Sequence, residues 1–367
     1  MKWEKYQLKE IANFWTGKID ATVLDSSNYI STDNLIPNRG GIVNSNYVPS
    51  LGKTNSFSEN DVLISNIRPY FKKIWFADKQ GGCSNDVLVF RAKEKIDPKY
   101  LYFQLSKDAF FDNMVAGSNG TKMPRGNKTS IMEFELQIPP LPTQRRIASI
   151  LSAYDDLIEN NLKRIKLLEE KAELRYKLMQ KELTYEKRIN LYDFADIQMG
   201  FAFKAEAFNE DSEGIPIIRI RDIPRQMTKS YTIEELENQY WVEKGDLLIG
   251  MDGEFHMNEW LGQRGYIVQR VCRLRAKNEL FQSFLWQALK EPIHYYESTI
   301  SGATVAHLGK KHLEEILIAQ PKDSMKNELE EMNTMRKIKI VLADQNTKLR
   351  EARDILLPRL MSGEINF

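Results

Sequence analysis

Two short stretches of the 367-residue sequence have residue types that could act on a phosphate group. Residues 52–54 (GKT) match the end of a phosphate-binding loop, but Tyr47 stands where such a loop needs its first glycine. Residues 169–171 (EEK) have the Glu-x-Lys spacing of some nucleases. They lie in a segment that is predicted to be a long helix, however, and no aspartate precedes them on a predicted strand. The sequence therefore predicts neither an ATP site nor a nuclease centre.

Histidines and cysteines also lack the spacing that catalysis or metal binding requires. The chain has four histidines, His256, His294, His307 and His312, and two cysteines, Cys83 and Cys272. None of them forms a triad or a metal-ligand pattern. The segments "NIRPYF" and "QIPPLP" only faintly echo the Asn/Asp-Pro-Pro-Tyr motif of amino-methyltransferases. We predict a non-catalytic chain without a cofactor or metal of its own, and two buried free thiols.

Basic, amide and aromatic residues are instead concentrated in four loop segments, residues 65–75, 117–128, 219–229 and 303–312. Lysine and arginine neutralise phosphates, and Arg and Asn side chains can bind base edges bidentately. The alternative for any single residue is a solvated surface role. We predict DNA contacts by Arg68, Tyr70, Lys72, Lys73, Asn119, Lys122, Arg125, Asn127, Lys128, Arg219, Arg221, Arg225, Lys229, His307, Lys310 and Lys311.

The elements that must position these loops occur twice along the chain. The segment "LKEIANFWTG" (8–17) matches "LYDFADIQMG" (191–200), and further pairs follow in the same order at offsets between 182 and 188. Asp61 aligns with Asp246 and Arg91 aligns with Arg275. Collinear matches at a nearly constant offset indicate an internal duplication.

Each copy has the pattern of a mixed α+β unit. The runs "DVLIS", "VLVFR", "DLLIG" and "RVCRLR" are short, rich in Val, Ile and Leu, and predict strands. Asp97 before Pro98 predicts a helix start, and Asn278 opens the counterpart in the second copy. The fold class is therefore α+β with a pseudo-two-fold repeat.

A long helix follows the first copy after "IPPLP", with Thr143 as its expected cap and Lys181 as its expected end. Its apolar positions alternate in spacings of four and three, which is the heptad pattern of a coiled coil. The expected seam is Ile147, Leu151, Tyr154, Ile158, Asn161, Ile165, Leu168, Ala172, Arg175 and Met179.

A second seam, expected to end at Pro358 and then Gly363, occurs near the C-terminus. Its expected members are Met335, Ile338, Leu342, Gln345, Leu349, Ala352 and Leu356. We expect the two helices to pair antiparallel. Asn161 and Gln345 are single polar residues in the two seams, and burying them would make wrong registers less stable. The alternative is that each is a polar residue tolerated near solvent. The predicted domains are 1–138 and 188–321, each globular, with helical regions 139–187 and 322–367.

The composition is that of a soluble globular protein, with 42% hydrophobic and 28% charged residues. No apolar run could span a bilayer and the N-terminus does not resemble a signal peptide, so we expect a cytoplasmic protein. The net charge of +1 gives no indication of a polyanionic partner. Any nucleic-acid surface must therefore be a local patch.

These segments together resemble the specificity (S) subunit of Type I restriction-modification systems. The segment "IPPLPTQRRIASILSAYDDLIENN" (138–161) resembles the central conserved region of that family, and "LREARDILLPRLMSGEI" (349–365) resembles its terminal region. "LISNIRPYFKKIWFAD" (63–78) and "LLIGMDGEFHMNEW" (247–260) look like pieces of its target recognition domains. One departure is that Pro321 is followed by "KDSMKNELEEM" rather than by a second "PPLPTQ".

The resemblance implies a non-catalytic subunit in which each globular domain reads one half of a split, asymmetric DNA target. The paired helices would then set the unspecified spacer. It also implies two modification subunits that carry S-adenosylmethionine and dock on the helices, where charged residues such as Arg145 and Arg164 are exposed candidates. Restriction subunits that use ATP and magnesium would join them. Two alternatives are a coiled-coil scaffold with modules that do not bind DNA, and a fused restriction-methylation enzyme.

Overall fold

The computed structural model describes residues 3–118, 123–183, 186–300 and 306–365. The chain divides into two compact units, here called unit 1 (residues 1–157 and 349–367) and unit 2 (residues 158–348). Within the described ranges, every helix is too short or too polar to cross a bilayer.

The described part of unit 1 is built from three sheets and four short helices. Its strands β1 to β10 are Glu4–Gln7, Ala12–Phe14, Lys18–Asp20, Tyr29–Ile30, Lys53–Phe57, Val62–Ser65, Ile74–Phe76, Gly81–Cys83, Val87–Ala92 and Glu135–Ile138. Its short helices α1 to α4 are Leu8–Ile11, Pro98–Leu105, Asp108–Ala116 and Lys128–Met132. The sheet orders are β1-β10, β2-β9-β6-β7 and β3-β5-β8-β4.

The central strands β6 and β9 of unit 1 are apolar on both faces because each face of their sheet packs against a separate core. Val62 and Ile64 of β6 face a core shared with α2 and α3, whereas Leu63 faces a second core against the β3-β5-β8-β4 sheet. Side chains alternate across a strand, so a continuous apolar run is expected where both faces are buried. As predicted, Asp97 caps α2 and accepts hydrogen bonds from the backbone N–H groups of Lys99 and Tyr100.

The long helix α5, Leu141–Leu183, follows and leads into unit 2. The strands of unit 2, β11 to β20, are Arg188–Asn190, Ala195–Met199, Ile215–Ile218, Tyr231–Thr232, Trp241–Val242, Leu247–Gly250, Met257–Glu259, Gly265–Ile267, Val271–Ala276 and Leu317–Ala319. Its helices are α6 (Leu191–Phe194), α7 (Gln282–Thr299) and α8 (Lys310–Glu315), and then α9 (Lys326–Ser362), which returns to unit 1. The sheet orders are β11-β20, β12-β19-β16-β17 and β14-β13-β18-β15.

The predicted duplication is confirmed by the strand pairing. The β2-β9-β6-β7 sheet of unit 1 has the same order as the β12-β19-β16-β17 sheet of unit 2. The parallel pair β4-β8 corresponds to the parallel pair β13-β18, and the antiparallel pair β5-β8 corresponds to β15-β18. The copies differ at the sheet edge, because β3 extends this sheet beside β5 whereas β14 extends it beside β13. The framework is thus repeated while its edges have diverged.

An aligned Asp–Arg pair closes the same turn in each unit. The carboxylate of Asp61 accepts two hydrogen bonds of 2.7 Å from the guanidinium of Arg91, and that of Asp246 accepts bonds of 2.5 and 2.7 Å from Arg275. Both aspartates also accept a bond from the backbone N–H three residues earlier, at Ser58 and Glu243. These equivalent bidentate pairs hold the turns that precede β6 and β16. The same structural role explains why both residue pairs recur in the sequence.

Helix α5 has the predicted seam. All ten expected positions, from Ile147 to Met179, are buried or half-buried. The helix begins at Leu141 rather than after Thr143, because Pro142 fits the first turn, where its missing N–H is not needed. Thr143 therefore lies inside the first turn and is not the cap.

Helix α9 does not have the predicted seam throughout. Met335 and Leu342 are buried as expected, but Ile338 and Gln345 are exposed. The buried positions in their place are Lys339 and Asn346, each one residue later, whereas Leu349, Ala352 and Leu356 are half-buried as expected. An apolar pattern could not reveal this because each of these polar groups is buried with a partner. Pro358 lies inside the helix, and Gly363, with φ of 77°, follows the helix end at Ser362.

The helices run antiparallel within each unit. In unit 2 the Nδ2 of Asn161 lies 3.0 Å from the Oδ1 of Asn346, and Lys171 forms an ion pair of 2.8 Å with Glu331. In unit 1 Asp155 accepts a bond of 2.7 Å from Arg353. The buried polar residue opposite Asn161 is therefore Asn346, and the predicted partner Gln345 makes only a longer contact of 3.4 Å from the exposed side.

Cys83 and Cys272 are buried free thiols, as predicted. Burial raises the pKa of each thiol to about 12, so the reactive thiolate is scarce at neutral pH. We expect a chromogenic disulfide reagent at pH 8 to modify neither thiol in the native chain and both after denaturation. Rapid modification of the native chain would show that one of the two cores opens readily.

Candidate nucleic-acid interface

Three loops of unit 1 meet at the ends of β6 and β9, and together they are called loop surface 1: residues 66–73, 84–86 and 123–127. Ile67 and Arg125 form an isolated antiparallel bridge. The N–H of Arg68 donates to the carbonyl of Pro124 at 2.9 Å, and the N–H of Asn66 donates to that of Asp86 at 2.8 Å. The predicted DNA-contact segment 65–75 and the described residues 123–127 of the segment 117–128 are thereby brought together.

The predicted residues of unit 1 differ in how they are held. Lys72 forms an ion pair of 2.5 Å with Asp108, and Arg125 forms one of 3.0 Å with Asp86. Lys73 donates to the carbonyl of Thr32, and burial lowers the pKa of its ammonium group. Tyr70 and Lys128 are exposed. Asn127 caps α4 by accepting bonds from Thr129 and Ser130, and Asn119 and Lys122 lie outside the described residues.

Arg68 has two unusual features for a surface arginine. Its backbone is in the left-handed region with φ of 50°, which non-glycine residues rarely adopt. Its Nε is buried and has no hydrogen-bond partner among the described residues. Strained backbone and unpaired buried donors are concentrated at functional sites, so these features mark Arg68 as a candidate contact residue.

Sequence reasoning missed two residues that hold loop surface 1 in place. Arg39, also left-handed with φ of 60°, forms an ion pair of 2.5 Å with Asp108, the same carboxylate that binds Lys72. Hydrogen bonds from Lys72 and then Arg39 lower the pKa of Asp108. The partners are 36 and 69 residues away along the chain, so local sequence carried no signal of this cluster.

The equivalent surface of unit 2, called loop surface 2, consists of residues 251–256, 269–270 and 306–309. Asp252 and His307 form the isolated bridge that corresponds to Ile67 and Arg125. The N–H of Gly253 donates to the carbonyl of Ala306 at 2.9 Å, as Arg68 does to Pro124. Asp252 accepts a contact of 2.6 Å from the Nδ1 of His307 and pairs with Arg270 at 3.3 Å.

The segment 219–229 lies beside the end of β16, where loop surface 2 begins, because a Cβ on Gly250 would lie 2.7 Å from the side chain of Ile220. Arg219 is half-buried, its guanidinium bonds Ser230 and pairs with Asp222, and burial lowers its pKa. Arg221, Arg225 and Lys229 are exposed. On α8, Lys310 pairs with Glu314 at 3.6 Å and Lys311 is exposed.

The two surfaces present different charge patterns on one framework. Arg125 of unit 1 occupies the position of His307 in unit 2. The position of Asp86, which pairs with Arg125, corresponds by the offset of 184 to Arg270, which sequence reasoning also missed. Arginine and histidine donate hydrogen bonds in different geometries, so the two surfaces differ in the hydrogen bonds that they can offer. Among the described residues there is no cluster of three metal-ligating side chains.

The duplicated framework with diverged loops agrees with what similarity to known proteins shows. The sequence model of a family described as "Type I restriction modification DNA specificity domain" matches residues 1–170 and again 185–329. The chain belongs to this family. This specificity chain is 34% identical to the EcoBI specificity subunit of Escherichia coli over 36% of its own length and 28% of that protein.

Longer similarities cover nearly the whole specificity chain. It is 24% identical to the MjaVIII specificity subunit of Methanocaldococcus jannaschii over 99% of its length and 93% of that protein. The crystal structure of a Type I restriction-modification S subunit from M. genitalium has a TM-score of 0.58 at 17% identity, covering 98% of this chain and 96% of the other. The fold of the specificity family therefore extends over both units.

Proposed function

We propose that this chain is the DNA-recognition subunit of a Type I restriction-modification complex and that it acts on cytoplasmic DNA. Loop surfaces 1 and 2 each read one half of a bipartite target, and the paired helices set the spacer. The observation that carries the proposal is that Arg125 and His307 occupy the same bridge of a duplicated framework but belong to different charge clusters. Equivalent positions with different chemistry would make the two half-sites different.

The helices also have surface suited to partner proteins. Leu167, Leu174 and Leu178 follow at spacings of seven and four on one face of α5 and are 62%, 62% and 58% exposed. On α9, Ile338 and Val341 line a shallow groove in unit 2. We propose that modification subunits dock on these apolar positions. They would bring S-adenosylmethionine, and restriction subunits would bring ATP and magnesium, while this chain itself catalyses no step.

Modular reading gives a test in which each unit is altered separately. Replacing Arg125 by alanine should relax recognition of one half-site only, and Arg270→Ala should relax the other. A lost base contact costs about 1–3 kcal/mol of discrimination. The target is first mapped from the methylated adenines in the genome of cells that carry the complete system. The measurement is then a competition mobility shift with the modification subunits present, using duplexes in which either half of the mapped target is scrambled.

A matched control is Arg264→Ala in unit 2. Arg264 is similarly exposed and ion-paired, at 2.6 Å from Glu243, but Glu243 precedes β16 whereas loop surface 2 follows it. Arg264→Ala should leave both half-site preferences unchanged. Equal losses at both halves in either loop variant would contradict modular reading, and no preference for any target duplex would favour a scaffold instead.

A further inference from the structure

Loop surface 1 carries an exposed aromatic tip, defined here as Tyr70 and Phe71 in the 3-10 turn Pro69–Phe71. The two rings are 48% and 38% exposed, and their centroids lie 4.7 Å apart. These exposed rings leave apolar surface in contact with water. Covering that surface with a ligand would lower the free energy of the protein. Their position suggests a flat apolar ligand.

The tip is held rigidly from both ends. Arg68 before it and Lys72 after it both have a φ of 50° in the left-handed region. The N–H of Asn38 donates to the carbonyl of Phe71 at 2.8 Å, and that of Arg39 donates to the carbonyl of Lys72 at 2.9 Å. Two non-glycine residues in this region cost free energy, and the surrounding bonds maintain the strained shape. The aromatic rings are therefore presented in a fixed place.

Cations surround the tip. Arg68 and Lys72 flank the turn, and the ammonium of Lys73 lies 6.0 Å from the centre of the Phe71 ring. Asp108 neutralises only part of this charge, because it faces both Lys72 and Arg39. A pair of rings between cations matches a base-pair step between two phosphate backbones.

Unit 2 has no such tip at the equivalent place. Gly253, with φ of 73°, corresponds to Arg68 and supplies the same backbone shape without a side chain. Phe255 behind it is buried, and Glu254 is an exposed acid that would repel a phosphate. The aromatic tip is thus a property of one copy, although the framework below it is shared.

We propose that Tyr70 and Phe71 act as a wedge that enters a base-pair step in the half-site read by unit 1. The inference rests on the proposed function, since it needs DNA on loop surface 1. Stacking of the rings on bases would offset the free energy of unstacking the step, and the flanking cations would hold the distorted backbone. No corresponding distortion is expected in the half-site read by unit 2.

The test uses the full chain with its modification subunits and the mapped target duplex, with 2-aminopurine placed at successive positions. The fluorescence of 2-aminopurine rises when its neighbours unstack. Because modification enzymes flip their target adenine and thereby unstack the bases beside it, that position and its two neighbours are left unlabelled in both halves. We expect a severalfold rise at one step of the half-site read by unit 1 and none in the other half.

Variants assign the signal to the rings. Tyr70→Ala with Phe71→Ala should remove the rise and weaken affinity by roughly 5- to 100-fold. Tyr70→Phe should keep the rise, because stacking needs the ring face and not the hydroxyl group. Tyr295→Ala is the matched control, since Tyr295 is 61% exposed beside Tyr296 but lies on α7. An unchanged thermal midpoint confirms that each variant is folded.

The outcomes separate the wedge from the proposed function. Tight binding without unstacking at any step, or unstacking that survives the double alanine variant, overturns the wedge and leaves DNA recognition standing. If the double alanine variant no longer bound the modification subunits but kept the fluorescence rise, the wedge would also be overturned. The rings would then contact a protein and not the bases. Failure of the unaltered complex to prefer its mapped target would overturn both.

Discussion

Replacing Glu259 by glutamine should destabilise unit 2 by about 3–5 kcal/mol, which is a large fraction of the stability of a typical domain. Glu259, at the end of β17, lies 2.8 Å from the Nε of Arg336 and 2.7 Å from the Nζ of Lys339, both on α9. All three side chains are almost completely buried. Loss of this negative charge would leave the buried Arg336 and Lys339 with only their second, more exposed carboxylates, Glu279 at 3.6 Å and Glu169 at 3.2 Å.

The surroundings of this cluster explain why it is tolerated. Lys339 also pairs with Glu169 of α5 at 3.2 Å and lies 4.3 Å from the centre of the Trp286 ring. Arg336 donates to the carbonyl of Gly245 at 3.0 Å. Gly245 has φ of 92°, and a Cβ there would come within 2.4 Å of the Arg336 guanidinium, so a glycine is required. The cluster therefore joins the sheet of unit 2 to both helices.

The measurement is denaturant unfolding followed by tryptophan fluorescence and circular dichroism. Glu254→Gln is the matched control, because its side chain is 79% exposed and its change should stay within about 0.5 kcal/mol. Replacing all three members of the cluster with apolar residues of similar volume should restore much of the stability. A Glu259→Gln variant as stable as the control would show that the buried cations find other partners.

The same position in unit 1 is apolar. Phe76 of β7 stands where β17 has Glu259, and its ring lies 5.8 Å from Tyr102, which aligns with Trp286. Unit 1 thus has an aromatic contact at the position where unit 2 has a buried carboxylate. The duplicated backbone therefore does not determine whether this position is aromatic or charged.

The sequence was sufficient to predict the elements whose environment is periodic. Strands such as β6 and β16 are buried on both faces, and α5 buries one stripe, so their apolar patterns gave the elements and the repeat. The seam of α9 was misread at Ile338 and Gln345, because the neighbouring Lys339 and Asn346 are buried against partners contributed by distant segments. An apolar pattern has no information about a cation that is neutralised by a distant carboxylate.

The sequence predicted some of the loops that form the two loop surfaces, but not how their side chains are arranged. Composition indicated which loops carry cations, and the structure brings two of these segments together in unit 1 through the Ile67–Arg125 bridge. Composition could not show that Asn127 caps a helix or that Arg219 is bonded within its own unit. It also passed over Arg39 and Arg270, because each becomes part of a site only through contacts with loops far away in sequence. Which of these residues touch DNA stays a prediction.

A paired insertion in the helices should change the spacer of the DNA target. Seven residues added after Leu162 of α5 and seven after Asp344 of α9 keep Asn161 with Asn346 on one side and Lys339 with Glu169 on the other. One heptad restores the seam and adds about 10 Å of helix, which equals roughly three base pairs of DNA. The affinity for the native spacer should fall at least tenfold, because the half-sites would no longer meet both loop surfaces.

The assay compares duplexes with the same two half-sites and spacers from one to ten base pairs longer, since three base pairs also rotate the second half-site by about 100°. We expect the preferred spacer to lengthen while the bases read in each half stay the same, because neither loop surface is altered. An insertion in α5 alone leaves a heptad without a partner and should lower stability without producing a new preferred spacer. If the paired insertion still preferred the native spacer, the helices would not set it, and the distance between half-sites would have to be fixed by the partner subunits.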